Sequence, residues 1–324
     1  MKVHILDDWF DTLRGLPCFA RLAGHDVTVW TDHEPDVDRL AERLAEAEAL
    51  VLFRERTPVT RALVERLPRL RLVSQRSVYP HVDVGALTDH GVVLCSNMHS
   101  GTPSYAAAEL TLALILASFR QIPEQVAAIR AGRWQAGVGR SLRGRRLGLY
   151  GYGRIARAVQ GYAEALGLEV QWWASEAGRD RARADGAPLA ESREAFFATS
   201  DIVSLHVRLK PETRGIVTAG DLAAMAPRSL FVNTSRAGLV QPGALEAEIA
   251  RGRIFAAVDV YETEPLTDPA HPLLTHPNVL PTPHIGYVTE DEFELQFADI
   301  FDQVVAFAEG QPINVINPEA LSVR

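Results

Sequence analysis

The run Leu147-Gly148-Leu149-Tyr150-Gly151-Tyr152-Gly153-Arg154-Ile155-Ala156-Arg157-Ala158 constrains this chain more than any other stretch. A short apolar segment meets a glycine-bearing turn, and an amphipathic helix carrying Ile155, Val159 and Leu166 follows. That is the strand–turn–helix opening of a dinucleotide-binding unit. Gly151 makes the tight turn, Gly153 lets the backbone approach a pyrophosphate, and Ala156 lets the helix pack close to the strand. The helix N-terminus then offers unpaired N–H groups and positive partial charge to phosphates. Alone, the same pattern also suits a glycine turn between any strand and helix, so the remainder of the chain has to decide.

The remainder alternates in the same way. Strands are expected at Val3 to Leu6, Asp26 to Val29, Leu50 to Phe53, Leu70 to Ser74 and Val92 to Cys95, with helical spacing at Asp36 to Glu48 and Thr60 to Leu67. A second series has strands at Leu147 to Tyr150, Val170 to Trp173, Ile202 to Leu205, Leu230 to Asn233, Phe255 to Val260 and near Val279. Alternation of this kind implies parallel sheets covered by helices, with ligands beyond the C-terminal strand ends. Between the series, Thr102 is expected to cap a helix with Pro103 at its first position. That helix is apolar on nearly every face through Leu110, Leu112, Leu114, Ile115 and Leu116, and so is expected to be buried between two domains. Thr289 and Glu292 are spaced as a capping box for a last helix that stops at Gly310, after which residues 312–318 return as an extended segment to the first domain. The expected domains are 1–98 with 290–324, and 99–289, joined twice and suited to closing over a cleft.

With 324 residues, 47% of them hydrophobic, the chain can fill two such cores. A net charge of −8 argues against nucleic acid as a partner. The longest strongly apolar run, Leu110 to Phe119, falls short of the roughly 20 residues of a membrane span, and the first residues read as a strand running into Asp7 and Asp8 rather than a leader. Cys18 and Cys95 are too few for a disulfide framework or a zinc site, so no metal is expected and a cytoplasmic location is the default.

Three segments follow the glycine turn in order: Asn233-Thr234-Ser235-Arg236-Ala237-Gly238, Asp259-Val260-Tyr261-Glu262-Thr263-Glu264-Pro265 and Pro281-Thr282-Pro283-His284-Ile285-Gly286. Together with Gly132-Arg133-Trp134 and Pro211-Glu212-Thr213-Arg214, they give the chain a resemblance to the D-isomer-specific 2-hydroxyacid dehydrogenases along essentially its whole length. The resemblance implies an α/β architecture of two doubly wound parallel-sheet domains, a Rossmann cofactor domain inserted in a flavodoxin-like substrate domain. It implies NAD or NADP as cofactor, a small 2-keto or 2-hydroxy acid as substrate, and a homodimer formed through the cofactor domain. The family pattern places its catalytic residues at Arg236, Glu264 and His284. It places cofactor contacts at Gly151, Gly153, Arg154, Ile155, His206, Thr234, Ser235, Asp259 and Gly286, to which this chain's own Ser175 and Arg208 are added. The chemistry suits these residue types: a planar guanidinium grips a carboxylate, an imidazole moves a proton near neutral pH, and a neighbouring carboxylate orients that imidazole. Each also has a plainer reading. Arg236 would satisfy strand-end carbonyls, Glu264 or Glu262 would be solvated surface, His284 would be a half-buried histidine, and Asp259 would hold a strand-end turn.

Two departures from the family pattern matter. Where NAD-specific members carry an Asp at the end of the second cofactor-domain strand, this chain has Ala174, followed by Ser175, Arg179 and Arg181, and it has Arg208 after His206. The group that would repel a 2′-phosphate is missing and several that would attract one are near, so NADP is expected to be tolerated or preferred, with Glu176 the alternative ribose ligand. In the first domain, many relatives bind the substrate carboxylate on a glycine-rich loop; here the loop reads Gln75-Arg76-Ser77-Val78-Tyr79-Pro80-His81-Val82-Asp83. Arg54-Glu55-Arg56-Thr57 resembles the corresponding segment of phosphoglycerate dehydrogenases. Substrate contacts are therefore expected at Arg54, Arg76, Ser77 and Val78, with the two arginines either taking a second anionic group or pairing with Glu55 or Asp83. The rival to an enzyme is an NAD(H)-binding corepressor-like sensor of the same fold. A formate or phosphite oxidase fits less well, because the formate-oxidising branch lacks the Glu264-type acid.

Overall fold

The computed structural model describes residues 1–98 and 104–323. The chain forms two compact units, Met1–Pro103 with Val288–Arg324, and Ser104–Tyr287.

The first unit holds a parallel sheet of β1 (Lys2–Ile5), β2 (Asp26–Val29), β3 (Ala49–Val51), β4 (Leu72–Arg76) and β5 (Val93–Asn97), in the order β2-β1-β3-β4-β5. This is the flavodoxin-like order, in which the chain reverses direction across the sheet at β1 and β3. The central strands β3 and β4 are buried along their length, as expected of parallel strands covered on both faces. The helices between them are short because caps and turns come early. Asp36 accepts from Asp38 N and Arg39 N and opens a helix that ends at Arg43, well before the Glu48 that apolar spacing suggested; Thr60 opens another spanning only Arg61–Val64. Between β1 and β2 the crossing consists of two 3-10 turns, Leu13–Gly15 and Pro17–Leu22. The helix Glu290–Ala308 packs its buried Phe293, Phe297, Ile300, Phe301 and Val304 into this unit, with Phe53 meeting Phe293 and Phe297 at ring-centroid distances of 4.9 and 4.7 Å. Only half of the expected capping box forms. Thr289 Oγ1 accepts from Glu292 N at 3.1 Å, while the Glu292 carboxylate is buried against Gln296 Nε2 at 2.6 Å. The tail then runs along the sheet edge: Val315 bridges Cys95 in antiparallel fashion and Asn317 Oδ1 accepts from Leu94 N.

The second unit has six parallel strands, β6 (Arg146–Tyr150), β7 (Glu169–Trp173), β8 (Ile202–Leu205), β9 (Leu230–Asn233), β10 (Phe255–Val258) and β11 (Val279–Pro281), in the order β11-β10-β9-β8-β6-β7. Beyond β7, Leu189 makes a one-residue parallel bridge to Trp172, flanked by Trp172 N–H to Pro188 O and Ala190 N–H to Trp172 O. Counted as the third strand, that bridge completes the 3-2-1-4-5-6 order of a Rossmann sheet. Three residues with no apolar periodicity left it invisible in the sequence.

The apolar helix Ala106–Arg120 corrects one expectation. Ala108, Thr111, Leu114, Ile115 and Phe119 enter the core of the second unit, but Tyr105 and Leu116 are exposed, so the helix is buried on one face only. Thr102 and Pro103, its expected start, lie outside the described residues. Among the described residues no single helix is long and apolar enough to cross a membrane, although this helix and Ile122–Arg130, bent by 60°, pass by length and composition as a pair. Both cysteines are free and buried, and burial pushes their thiols up to about 12, which suits packing rather than chemistry.

Candidate active site

The C-terminal edge of the second sheet gathers most of the residues singled out above. At the end of β6 the chain turns at Gly151 with φ of 110°, and a Cβ there would sit 2.3 Å from the carbonyl oxygen of His206 after β8. No other residue fits. Gly153 precedes the helix Arg154–Ala165 with no side-chain cap, and its Cβ position is open space. The first turn of this three-turn helix thus carries no cap from Gly153 and no shielding Cβ at that position, which is what a dinucleotide pyrophosphate requires. Ala156 is fully buried under the turn. The residues present fit a nicotinamide dinucleotide.

The loop after β9 is shaped by Asn233, which the sequence reading did not credit. Its Oδ1 accepts from Ser235 N and its Nδ2 donates to Arg236 O, both at 3.0 Å. Ser235 Oγ donates to Leu205 O at 2.7 Å, and Thr234 Oγ1 lies 2.8 Å from Thr111 Oγ1. These bonds leave Thr234 and Ser235 holding the loop and Arg236 half-buried at its crest, with Nη1 on Ser235 O.

Glu264 and His284 meet. His284 Nδ1 is 2.5 Å from Glu264 Oε2, and Glu264 Oε1 accepts from Tyr261 N at 2.8 Å. Burial works to raise the Glu264 carboxyl, but the His284 hydrogen bond and charge, the Tyr261 N–H and the charge of Arg236 together hold it below the usual carboxylate range. With Nδ1 engaged, Nε2 is the ring nitrogen left to serve a substrate. Glu262, the other candidate acid, is exposed like Glu264 but, among the described residues, its carboxylate has no hydrogen-bond or ion-pair partner. His284 itself sits at φ of 54°, an unfavourable conformation for a non-glycine residue and one that collects at functional sites.

What holds that conformation is Asp259. Its side chain is 0% exposed, and its oxygens accept from Thr282 Oγ1 (2.6 Å), Ile285 N (2.9 Å) and Gly286 N (2.9 Å). Burial raises its pKa despite those donors. For Asp259 the plainer reading of a strand-end turn is the role on view: the acid clamps the turn that carries His284, with Gly286 N as one of its donors. Tyr261 adds a bond from its hydroxyl to Thr282 O, and its phenol is pushed up to about 12 by burial and by the nearby Asp259 and Glu264. Thr282 and Tyr261 lay inside the quoted motifs, but nothing in their spacing marked them.

After β7, Ala174 is buried and Ser175 Oγ caps the helix Glu176–Ala184 by accepting from Gly178 N. Arg179 does not point into solvent. It folds back to donate to Ala174 O at 2.7 Å with its guanidinium 4.5 Å from the Trp173 ring centroid, and Arg181 reaches Tyr152 O in the glycine turn at 3.5 Å. His206 Nε2 bonds to Ser204 Oγ at 2.9 Å, and burial brings its pKa down to about 4, so the ring is neutral. Arg208 is exposed.

In the first unit, the expected substrate residues divide. The pairing expected for Arg76 is corrected: its side chain is 7% exposed and meets Asp299 of the last helix at 3.1 Å, rather than Glu55 or Asp83. Its position as the last residue of a buried strand turns it inward. Ser77 replaces the missing glycine by adopting φ of 76°, with its carbonyl held by Gln75 Nε2 and Ser96 Oγ. That conformation costs roughly 1–2 kcal/mol for an L-residue. Val78 beside it is exposed. Arg54 after β3 and Asp7 after β1 are also left-handed, at φ of 59° and 61°. Three neighbouring strands thus end in strained non-glycine residues. The sequence reading missed how Asp7 ties the end of β1 to the loop after β3. Its carboxylate takes Thr57 Oγ1 at 2.5 Å and His33 Nδ1 at 2.8 Å, and its carbonyl takes Arg56 Nη1, whose guanidinium lies 3.9 Å from the Trp9 ring centroid.

Residues 112–286 match the family model for the NAD-binding domain of D-isomer-specific 2-hydroxyacid dehydrogenases. The glyoxylate reductase of Aeropyrum pernix is 35% identical over 93% of this chain and 92% of its own length. The D-3-phosphoglycerate dehydrogenase of Methanocaldococcus jannaschii is 33% identical over 86% of this chain, which spans only 53% of that protein. A crystal structure of a phosphoglycerate oxidoreductase from Vibrio cholerae O395 shares 46% identity and superposes with a TM-score of 0.91 over 96% of this chain and 99% of that one. The chain belongs to the D-isomer-specific 2-hydroxyacid dehydrogenase family, nicotinamide-dependent oxidoreductases that act on CH–OH donors.

Proposed function

We propose that this protein reduces a small 2-keto acid to the D-2-hydroxy acid, with Arg236, His284 and Glu264 as its working residues. The observation that carries the proposal is the Glu264–His284 pair, 2.5 Å apart and beside a loop that presents Arg236. The bound nicotinamide supplies the hydride. Arg236 grips the substrate carboxylate with paired donors and polarises the carbonyl. As the carbonyl carbon gains the hydride, its oxygen takes the proton from His284 Nε2, and the ring keeps its Nδ1 proton on Glu264. Ionised Glu264 fixes the ring orientation through Nδ1. Arg154, Ile155, Gly151 and Gly153 are proposed to hold the pyrophosphate, and Thr234, Ser235, His206, Asp259 and Gly286 to line the rest of the cofactor.

A substrate of glyoxylate size suits the relative matched over nearly its full length, while Arg54 provides a cation for a second anionic group. Ser77 Oγ and Val78 are proposed to meet the substrate carboxylate, the Ser77 N–H being held already by Asn97 O at 3.1 Å. NADP(H) is proposed to be accepted at least as well as NAD(H), because the acid is absent at Ala174 and Arg179 is held against the end of β7. We also propose a homodimer through the second unit, whose irregular stretch leaves Trp134 81% and Val138 89% exposed, close in sequence to the exposed Ile122, Val126 and Ile129. The free buried thiols suit a reducing cytoplasm.

The test is NAD(P)H oxidation with glyoxylate, pyruvate, hydroxypyruvate and 3-phosphohydroxypyruvate, with chiral analysis of the lactate and glycerate formed. Turnover giving the D-isomers is expected. Tight cofactor binding without turnover on any of the four, or L-products, would overturn the proposal.

A further inference from the structure

The opposite edge of the second sheet carries a cavity of about 240 Å³ whose lining includes Arg140, Arg145, Thr199, Asp201, Arg228 and Ser229. The topology puts them together: Arg145 directly precedes β6, Asp201 precedes β8, and Arg228 and Ser229 precede β9, so this is the N-terminal end of strands whose C-terminal ends form the candidate active site. Three guanidinium groups face one carboxylate there, in a chain whose net charge is −8. That carboxylate is already engaged, since Asp201 Oδ1 accepts from Arg145 Nη1 at 3.1 Å and Oδ2 from Arg146 N at 2.9 Å. Among the described residues neither the Arg140 nor the Arg228 side chain has a hydrogen-bond or ion-pair partner. Arg140 lies 4.3 Å from the Phe119 ring centroid, where burial and the charges of Arg228 and Arg145 work against its own charge. Ser229 is 2% exposed, and its Oγ has no partner.

Converging like charges and a buried, unanswered hydroxyl are each unfavourable, and an anion with several acceptor oxygens would relieve both at once. We propose that this cavity is a second ligand site, distinct from the dinucleotide and substrate sites, for a small phosphoryl dianion: inorganic phosphate or a short phosphorylated acid. Arg140 and Arg228 supply the charge, and Ser229 Oγ is the neutral donor. The volume lies below that of pockets for drug-sized ligands, which excludes a dinucleotide.

The test is calorimetric titration of the full chain with inorganic phosphate in the presence of saturating NADH, which covers the dinucleotide phosphate site. One saturable site per chain is expected. Arg228→Gln, which removes no observed side-chain bond and should leave the melting temperature unchanged, is expected to weaken binding at least tenfold, the loss of one charged hydrogen bond. Arg140→Gln should do the same, while Arg236→Ala should bind phosphate as the wild type does. A parallel titration with 3-phosphoglycerate distinguishes the two sources: Arg228-dependent binding tighter than phosphate points to a phosphorylated acid, and weaker binding to phosphate itself. No saturable phosphate binding, an affinity unchanged in both Arg228→Gln and Arg140→Gln, or loss of binding in Arg236→Ala would each overturn the proposal.

Discussion

At the scale of single residues, the chemistry turns on which atoms are already occupied. His284 offers Nε2 because Nδ1 is held by Glu264, and Glu264 is held ionised by the same contact. The carboxylate's contribution is present above the ordinary carboxylate pKa and is lost as pH falls through the depressed value. In Glu264→Gln that support is gone at every pH, so kcat for keto-acid reduction should fall across the whole pH–rate profile; an unchanged profile would remove Glu264 from the mechanism. The cofactor residues make a second prediction. A charged hydrogen bond is worth about 1.5–3 kcal/mol, or roughly tenfold or more. If Arg179 meets a 2′-phosphate, Arg179→Gln should lower kcat/KM for NADPH by at least that factor and leave the value for NADH nearly alone, while Ala174→Asp should shift preference toward NADH. A wild type preferring NADH by about a hundredfold would contradict the reading, since that exceeds what one lost contact supplies.

At the scale of elements, the two glycines of the turn separate fold from function. A methyl group at Gly151 collides with the His206 carbonyl and strains a φ of 110°, each costing about 1–3 kcal/mol, so Gly151→Ala should lower the melting temperature markedly. Gly153→Ala meets nothing in the protein and should melt like the wild type, yet bind cofactor more weakly because the new Cβ faces the pyrophosphate. Equal melting temperatures for the two variants in thermal unfolding would contradict this account of the turn. Elements with strong periodicity or apolar runs were legible from sequence, and β2, β8 and β9 fall at the expected residues. The order of motifs also made Glu264 and His284 neighbours in expectation before they were neighbours in space. What escaped were features that depend on long-range geometry. The Leu189 bridge has too few residues to show a period. The inward turn of Arg76 depends on Asp299, far along the chain, and the left-handed Ser77 stands where a glycine would have announced itself. Asp259 was visible as a residue, but its three donors come from a turn more than twenty positions later.

At the scale of the whole molecule, each unit brings its candidate site residues to the C-terminal edge of its own parallel sheet, and the stretch after the helix Ala106–Arg120 leaves an apolar face with Trp134 and Val138 open on the second. A dimer covering that face predicts twice the chain mass by light scattering at micromolar concentration, and Trp134→Glu, which places a charge where an indole would be buried, should yield monomers. The central claim is that Arg236 and His284 perform the reduction while the glycine turn holds the cofactor separately. Steady-state reduction of glyoxylate by Arg236→Ala and His284→Ala, alongside NADH dissociation constants for the same proteins, tests it most directly. The account predicts that kcat/KM falls about 10²–10³-fold in Arg236→Ala, the scale of losing one preorganised transition-state donor, that kcat falls in His284→Ala, and that both variants bind NADH within a few-fold of the wild type. Turnover close to wild type in either variant would contradict it.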